Sequence, residues 1–244
     1  MTYHSIDPTD SPISVDEETF RQHVRWLSSD AVRVTPLEEL LAVPESENAV
    51  AITFDDGFVN FESIAAPLLL DHGLPVTLFV VSGQVGQTNA WCGIPDRRVP
   101  TLPLLDWHAL GELADAGVSL GAHSRTHRNL TMLSGDELEN EVVHCIGQLA
   151  ARTGRTPTSF AYPFGGVNDT ATAVVSSAYA RACTTELRQI EPSDSPHMLP
   201  RLDMYYFRRP GRLESYGSAR FRSYLWLRSQ GRRVGQHLAP MGET

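Results

Sequence analysis

The chain has 244 residues, of which 41% are hydrophobic, and a formal net charge of −9. This length can bury the core of one open sheet or barrel of alternating strands and helices, so we expect one main domain. The negative charge argues against a nucleic-acid-binding domain, because phosphate contacts need clustered cationic side chains.

Two helix starts are visible in the first 45 residues. Ser14-Val15-Asp16-Glu17 matches a capping box, and apolar residues follow at helical spacing, which predicts a helix over residues 15–28. Thr35-Pro36-Leu37-Glu38 repeats the start signal and predicts a short helix with a buried face of leucines.

Short apolar segments then alternate with helical patterns as far as residue 184. This order predicts a parallel sheet closed into a barrel, in which sites form from the loops at the carboxyl ends of the strands. A long loop rich in Gly and Pro is expected over residues 82–103, and such loops are usually functional. The predicted strands cover residues 49–54, 75–81, 118–122, 159–162 and 181–184, and the predicted helices cover residues 59–72, 106–116, 134–152 and 169–178.

Asp55 and Asp56 follow the first strong strand directly. Two adjacent carboxylates raise each other's pKa unless a cation or a proton resolves their repulsion. The usual reasons for keeping such a pair are a bound metal, an acid–base role, or both.

Two further polar segments follow later strands. His123 and His127 stand four residues apart, a spacing that lets two imidazoles face one divalent metal, although an isolated pair is more often two surface histidines. With one carboxylate they make a set that leaves metal positions open for water and substrate. The segment from Phe160 to Gly166 carries a strand into a Pro and Gly turn, which alone indicates only a turn.

Together these segments resemble the polysaccharide deacetylase family, or NodB homology domain, a carbohydrate esterase family, over residues 49–203. Residues 53–57 fit the first family motif, residues 123–127 fit the motif H-[ST]-x-x-H, and residues 160–165 fit the third motif. The resemblance implies a distorted (β/α) barrel. It also implies metal-dependent hydrolysis of an N-acetyl or O-acetyl group on an amino sugar or glycan.

The resemblance also implies roles for individual residues. Asp56, His123 and His127 would bind the metal, Asp55 would be the general base, and the backbone N–H of Phe164 would help to hold the oxyanion. Zinc is our first choice of metal, with cobalt, nickel, manganese and iron as alternatives, because two imidazoles and a carboxylate suit all of them.

The general acid is a role in which this chain departs from most of the family. Most of the family supply a histidine from a late motif, but after residue 184 this chain has only His197 and His237, neither in the expected apolar context. Tyr3-His4 resembles the N-terminal Tyr-His of the poly-N-acetylglucosamine deacetylase branch, in which the late motif is permuted to the start. That likeness implies His4 as the acid, and a frayed N-terminus is the alternative.

A second departure from the family concerns an arginine. Many members have Arg where this chain has Ala161, and that Arg tunes the aspartate base. The segment Leu199-Pro200-Arg201-Leu202-Asp203 offers Arg201 as a replacement, and an ordinary salt bridge is the alternative.

The C-terminal part is rich in arginine, with nine Arg against three acidic residues over 201–244. We expect a barrel over residues 1–207 and an Arg-rich helical extension over 208–244 that packs on it. Weak contact of this extension with an anionic surface is the alternative. No segment reaches the length of a membrane span.

The expected setting is cytoplasmic. The first 30 residues lack a secretory signal pattern, and Cys92, Cys145 and Cys183 have no metal-type spacing, which favours reduced thiols.

The expected function is therefore a metal-dependent carbohydrate deacetylase. A hydrolase of another non-peptide C–N bond on the same fold, or a catalytically silent carbohydrate-binding homologue, is the alternative. The loops over residues 82–103 and 185–200 carry no motif that names the sugar, although Trp91 is a candidate for stacking on a sugar ring.

Overall fold

The computed structural model describes residues 1–238 and contains ten short strands. In chain order they are β1 (Thr2–Tyr3), β2 (Ser5–Ile6), β3 (Ser14–Val15), β4 (Arg33–Val34), β5 (Ala49–Val50), β6 (Ile52–Phe54), β7 (Val76–Val80), β8 (Ser119–Ala122), β9 (Ser159–Ala161) and β10 (Arg181–Cys183). Six of them form one curled sheet in the order β1-β6-β7-β8-β9-β10, in which every neighbouring pair is parallel. The other four form two small parallel pairs, β2 with β3 and β4 with β5.

Helices occupy most of the connections between the strands. They are α1 (Glu17–Leu27), α2 (Ala66–Asp71), α3 (Trp107–Asp115), α4 (Gly135–Val142), α5 (His144–Thr153), α6 (Asp169–Ala178) and α7 (Ala219–Leu238), with a π-helical turn at Phe61–Ala65 before α2. Single 3₁₀ turns lie at Leu40–Ala42, Ser82–Gln84, Trp91–Gly93, Leu130–Met132, Pro163–Gly165 and Met204–Phe207.

Residues 199–203 join the two edges of the sheet. On one side the N–H of Leu199 donates to the Ala182 carbonyl at 2.9 Å. On the other side the N–H of Thr2 donates to the Leu202 carbonyl at 2.8 Å. Because this segment lies between β10 and β1, the sheet curls towards closure, and the predicted distorted (β/α) barrel is confirmed.

The N-terminal strand β1 is held firmly in the core. Tyr3 is buried, and its ring stacks on Phe54 of β6 at 5.0 Å and meets the edge of Phe20 of α1 at 5.2 Å. The backbone N–H of Asp55 donates to the Tyr3 carbonyl at 3.0 Å. The start of the chain is therefore an integral strand of the sheet and not a frayed end.

Of the two helices expected near the N-terminus, only the first forms. The helix expected over 15–28 is α1, but its cap is Asp16, whose side chain accepts from the Thr19 N–H, while Ser14 belongs to a strand. The helix expected from Thr35 is absent, and only a 3₁₀ turn forms at Leu40–Ala42. Leu37 is nevertheless buried, because it packs in a small apolar cluster at the sheet.

Two longer elements are divided in the structure. The strand expected over 49–54 splits around Ala51, because β5 pairs with β4 whereas β6 pairs with β1 and β7. The helix expected over 134–152 breaks at Val143 into α4 and α5. The helix expected over 169–178 has those bounds in the structure.

The C-terminal helix α7 contributes Phe221 and Leu225 to the core. Residues 239–244 of the expected extension lie outside the described residues. Within residues 1–238, no helix is both long enough and apolar enough to cross a membrane.

Candidate active site

The polar segments singled out from the sequence meet at one rim of the curled sheet. Asp55 and Asp56 follow β6, His123 follows β8, and Pro163 and Phe164 follow β9 after one intervening residue. Because the strands are parallel, their carboxyl ends open on the same side, and loops there can converge on one centre.

Asp56, His123 and His127 are all buried and form a compact group. The Oδ1 atom of Asp56 lies 3.5 Å from Nε2 of His123 and 3.4 Å from Nε2 of His127. Three donor atoms around one tetrahedral cation, with bonds of about 2.1 Å, are separated by about 3.4 Å. The Asp56 oxygen also has no hydrogen-bond partner although it is buried, so the donor set fits a small divalent cation.

The rings of the two histidines are held by different contacts. The Nδ1–H of His123 donates to the Ala161 carbonyl at 2.8 Å, which leaves its Nε2 lone pair facing Asp56. The ring of His127 stacks on Trp91 with centroids 4.2 Å apart and meets the edge of Phe164 at 4.6 Å. Trp91 therefore covers a candidate metal ligand, a contact that the sequence did not indicate.

Glu141 of α4 secures the turn between these two histidines. Its buried carboxylate accepts the backbone N–H groups of Arg125 at 3.1 Å and Thr126 at 2.8 Å, and the Thr126 hydroxyl at 2.6 Å. Nothing in the sequence distinguished Glu141 from the exposed acids of the same helix. Its burial is the signal that identifies it.

Backbone strain is concentrated at the same rim. Among the described residues, four non-glycine residues have a positive φ, and all of them belong to the three motif segments. Such a conformation is unfavourable for a residue with a Cβ atom and persists only where the surroundings impose it. These residues are Asp56 (74°), Ser124 (59°), His127 (61°) and Phe164 (58°).

Asp55 is held by a different partner from Asp56. Both guanidinium NH₂ groups of Arg201 donate to the two oxygens of Asp55, each at 2.7 Å, and both side chains are buried. Burial alone would raise the pKa of Asp55, but the charges of Arg201, His123 and His4 outweigh it and hold that pKa well below its ordinary value. The expected partnership of Arg201 with Asp55 is thus a bidentate ion pair.

Asp56 has the opposite electrostatic character. Burial raises its pKa above the ordinary value, and the adjacent Asp55 adds to the rise, while His4 and His123 oppose it. Asp55 is therefore paired with the permanent cation of Arg201, whereas Asp56 faces the imidazoles of His123 and His127.

His4 lies beside this centre. Its Nε2 is 3.7 Å from Oδ2 of Asp55, and its side chain is 22% exposed. The preceding Tyr3 is fixed because its hydroxyl donates to Nδ1 of His23, and Nε2–H of His23 donates to the Phe207 carbonyl. Burial lowers the pKa of His23 to about 4, which keeps this ring neutral.

Among the described side chains, the late histidine His197 does not share this position. The ring of His197 lies 2.9 Å from the Tyr179 carbonyl and donates to it. The side chain of His237 lies outside the part that the structure describes.

Comparisons with known proteins agree with the fold, and the matched range contains all three motif segments. The family model described as polysaccharide deacetylase matches residues 42–183. The chain is 27% identical over 192 residues to YxkH of Bacillus subtilis (strain 168), an alignment that covers 76% of this chain and 63% of YxkH. The chain thus spans less than two thirds of that relative's length.

Two other similar proteins differ in what they establish. The chain is 23% identical over 203 residues to the poly-beta-1,6-N-acetyl-D-glucosamine N-deacetylase of Staphylococcus aureus (strain MRSA252), covering 78% of this chain and 67% of that protein. The solved structure of IcaB from Ammonifex degensii is similar with a TM-score of 0.70 at 22% identity, covering 84% of this chain and 91% of that one. At this identity the structural likeness establishes the fold.

Proposed function

Because the chain belongs to the polysaccharide deacetylase family, we propose that it is a metal-dependent deacetylase acting on an acetylated amino sugar or glycan, most simply at an N-acetyl group. The observation that carries this proposal is that two adjacent aspartates have different partners. Asp56 faces two imidazoles at 3.4–3.5 Å, whereas Asp55 is paired with Arg201.

Asp56, His123 and His127 would hold the cation. A divalent metal bound there would supply Lewis acidity, which polarises the acetyl carbonyl and makes a water molecule more acidic. Every other requirement of the reaction falls to side chains and backbone groups of this protein.

Asp55 would take the proton from the attacking water. Its ion pair with Arg201 keeps the carboxylate ionised and therefore unoccupied by a proton at neutral pH, while making it a weaker base than a free carboxylate. The two guanidinium bonds also fix the orientation of the carboxylate towards the rim.

Phe164 and His4 would complete the reaction. The left-handed conformation of Phe164 turns its peptide at the rim, and a backbone N–H that donates to a developing oxyanion is worth about 3 kcal/mol in comparable sites. His4, beside Asp55, would give a proton to the leaving amine, so that acetate and a free amino sugar are released.

The test is acetate release from N-acetylglucosamine oligomers by protein first stripped of metal with a chelator. We expect no acetate from the stripped protein, and turnover restored by Zn²⁺ or Co²⁺. His123→Ala is the matched control, because it should fail to recover with either metal. Release that survives chelation would contradict metal dependence.

A catalytically silent carbohydrate-binding protein is the second candidate. The complete donor set and the paired Asp55 argue against it, because a binding module has no need for a buried base. One metal ion bound per chain without acetate release across a broad substrate panel would favour this candidate.

A further inference from the structure

A groove on the protein surface begins next to the turn that carries Phe164. Its volume is about 780 Å³, within the range of small-ligand sites. One wall contains Gly165 and the segment from Thr184 to Glu191, and the facing wall is α7, which contributes Arg222, Trp226 and Gln230. Helix α7 lies beyond the residues 42–183 that match the family model.

The groove lies beside the turn that borders the candidate site. Gly165 follows Phe164, whose ring contacts His127. A Cβ atom on Gly165 would lie 1.9 Å from the Thr185 hydroxyl, so the turn and the loop 184–191 are in close contact there. The groove therefore begins one residue along the chain from Phe164, whose ring lies at the candidate site.

Trp226 gives this groove a flat apolar surface. Its side chain is 62% exposed although the neighbouring Leu225 is buried, so the helix is anchored while the indole stays accessible. The rest of the lining mixes apolar side chains with hydrogen-bonding ones, among them Glu186, Glu191 and Gln230. An exposed indole beside hydrogen-bonding groups suits a sugar ring, which has an apolar C–H face and a polar rim of hydroxyls.

The charges around the groove favour a neutral ligand over an anionic surface. Its lining has two acids, Glu186 and Glu191, and two arginines, Arg188 and Arg222. Other arginines nearby are engaged with aromatic rings, since Arg212 lies 3.9 Å from the centroid of Tyr224 and Arg228 lies 5.6 Å from it.

We propose that this groove is a subsite for a further sugar ring of the glycan, next to the ring that is deacetylated, with Trp226 as its stacking platform. This inference rests on the proposed function, which it deepens by specifying an oligomeric substrate. The acetyl-bearing ring lies at the rim near Phe164, and the neighbouring ring lies against α7.

The test compares Trp226→Ala and Trp226→Tyr with Leu227→Ala. Leu227 is a matched control, because it is adjacent on α7 and 61% exposed but does not line the groove. Substrates are β-1,4- and β-1,6-linked N-acetylglucosamine oligomers of two to six units. We expect Trp226→Ala to raise KM about tenfold for the longest oligomers, with a loss that grows with length, while Trp226→Tyr and Leu227→Ala stay near the unmodified protein.

Calorimetric titration with the same oligomers separates this inference from the proposed function. Binding that depends on Trp226 without any acetate release would contradict the proposed function and support the subsite. Acetate release with equal length dependence in Trp226→Ala and Leu227→Ala would overturn the subsite alone. Neither binding nor release across the oligomers would overturn both.

Sedimentation with phosphatidylserine vesicles tests whether a membrane surface, and not a sugar ring, contacts Trp226. A membrane surface would use both neighbouring exposed side chains, so equal loss of vesicle binding in Trp226→Ala and Leu227→Ala would overturn the sugar subsite. Absence of vesicle binding by the unmodified protein supports it.

Discussion

The middle of the chain and its two ends contribute different parts of the candidate site. Residues 42–183, which match the family model, supply both aspartates and both histidines. The segments 1–6 and 199–203 lie outside that match, join the edges of the sheet, and bring His4 and Arg201 to Asp55.

This difference separates two physical tasks. The middle collects the candidate metal donors, which depends on the two loops that follow β6 and β8. The ends set the charge of one carboxylate, which depends on a cation delivered from 146 residues away in sequence. Substitutions in the two regions should therefore impair the protein in different ways, and the following variants test that difference.

The largest effect is expected for Asp55→Asn. An amide of the same shape cannot accept the proton from water, so kcat for acetate release should fall by about 10⁴-fold. The metal content, measured as metal per protein chain, should remain unchanged. His123→Ala should lose metal first, and the opposite pattern in the two variants would reverse our assignment of the aspartates.

Arg201→Leu should affect stability most strongly. It leaves the buried Asp55 without its cation, which costs about 3–5 kcal/mol in the free energy of unfolding. Urea denaturation measures the loss, and Arg188→Leu is the control, because the Arg188–Asp194 pair is more exposed and should cost below about 1 kcal/mol.

The double variant Asp55→Asn with Arg201→Leu sharpens this result. Removing the carboxylate charge should recover part of the lost stability, because no unpaired charge then remains buried. Equal losses in Arg201→Leu and Arg188→Leu would show that the end of the chain does not control Asp55.

His4→Ala should lower kcat about a hundredfold and leave both metal content and fold intact. Tyr3 remains to anchor β1 in this variant, which keeps the comparison free of folding effects. His197→Ala is the control, because its ring is bonded to the Tyr179 carbonyl and should not matter. Unchanged turnover in His4→Ala would remove His4 from the mechanism.

Glu141→Gln should have the smallest effect of this series. It weakens the hold on the turn between the histidines, and loss of such a supporting contact lowers metal affinity about tenfold. Competition with a chelator measures that affinity. Glu137→Gln on the same helix is the control, since Glu137 is exposed and bonded to Arg128. Equal affinities in the two variants would contradict the role of Glu141.

The sequence located most elements in the middle of the chain because their signals are local. Apolar runs end at polar residues there, and α3 and α6 begin at capping side chains, Asp106 and Asn168, that accept backbone N–H groups of the first turn. The helix signal at Ser14 failed because its hydroxyl bonds to Asp7 at 2.7 Å and its backbone pairs with β2. These contacts occupy Ser14, and Asp16 caps the helix in its place.

The closure of the barrel was harder to predict. Residues 199–203 form single bridges and no regular strand, and Pro200 interrupts the segment. The ion pair of Arg201 with Asp55 depends on that closure. The segment 199–203 therefore suggested Arg201 as a partner of Asp55 but not the bidentate geometry of their contact. The groove at Trp226 could not be predicted at all, because it depends on how α7 packs against a loop without a motif.

The four left-handed residues at the rim have a consequence for engineering and evolution of this protein. At about 1–2 kcal/mol each, their combined strain approaches the net stability of a typical domain. Substitution by glycine would relieve it, but the Ser124 hydroxyl accepts the buried His127 N–H at 3.0 Å, so Ser124→Gly would also remove a bond that positions this histidine. Selection for heat resistance alone would then favour glycine at these positions and make the segments that orient the histidines more flexible. We therefore expect a trade-off between melting temperature and turnover.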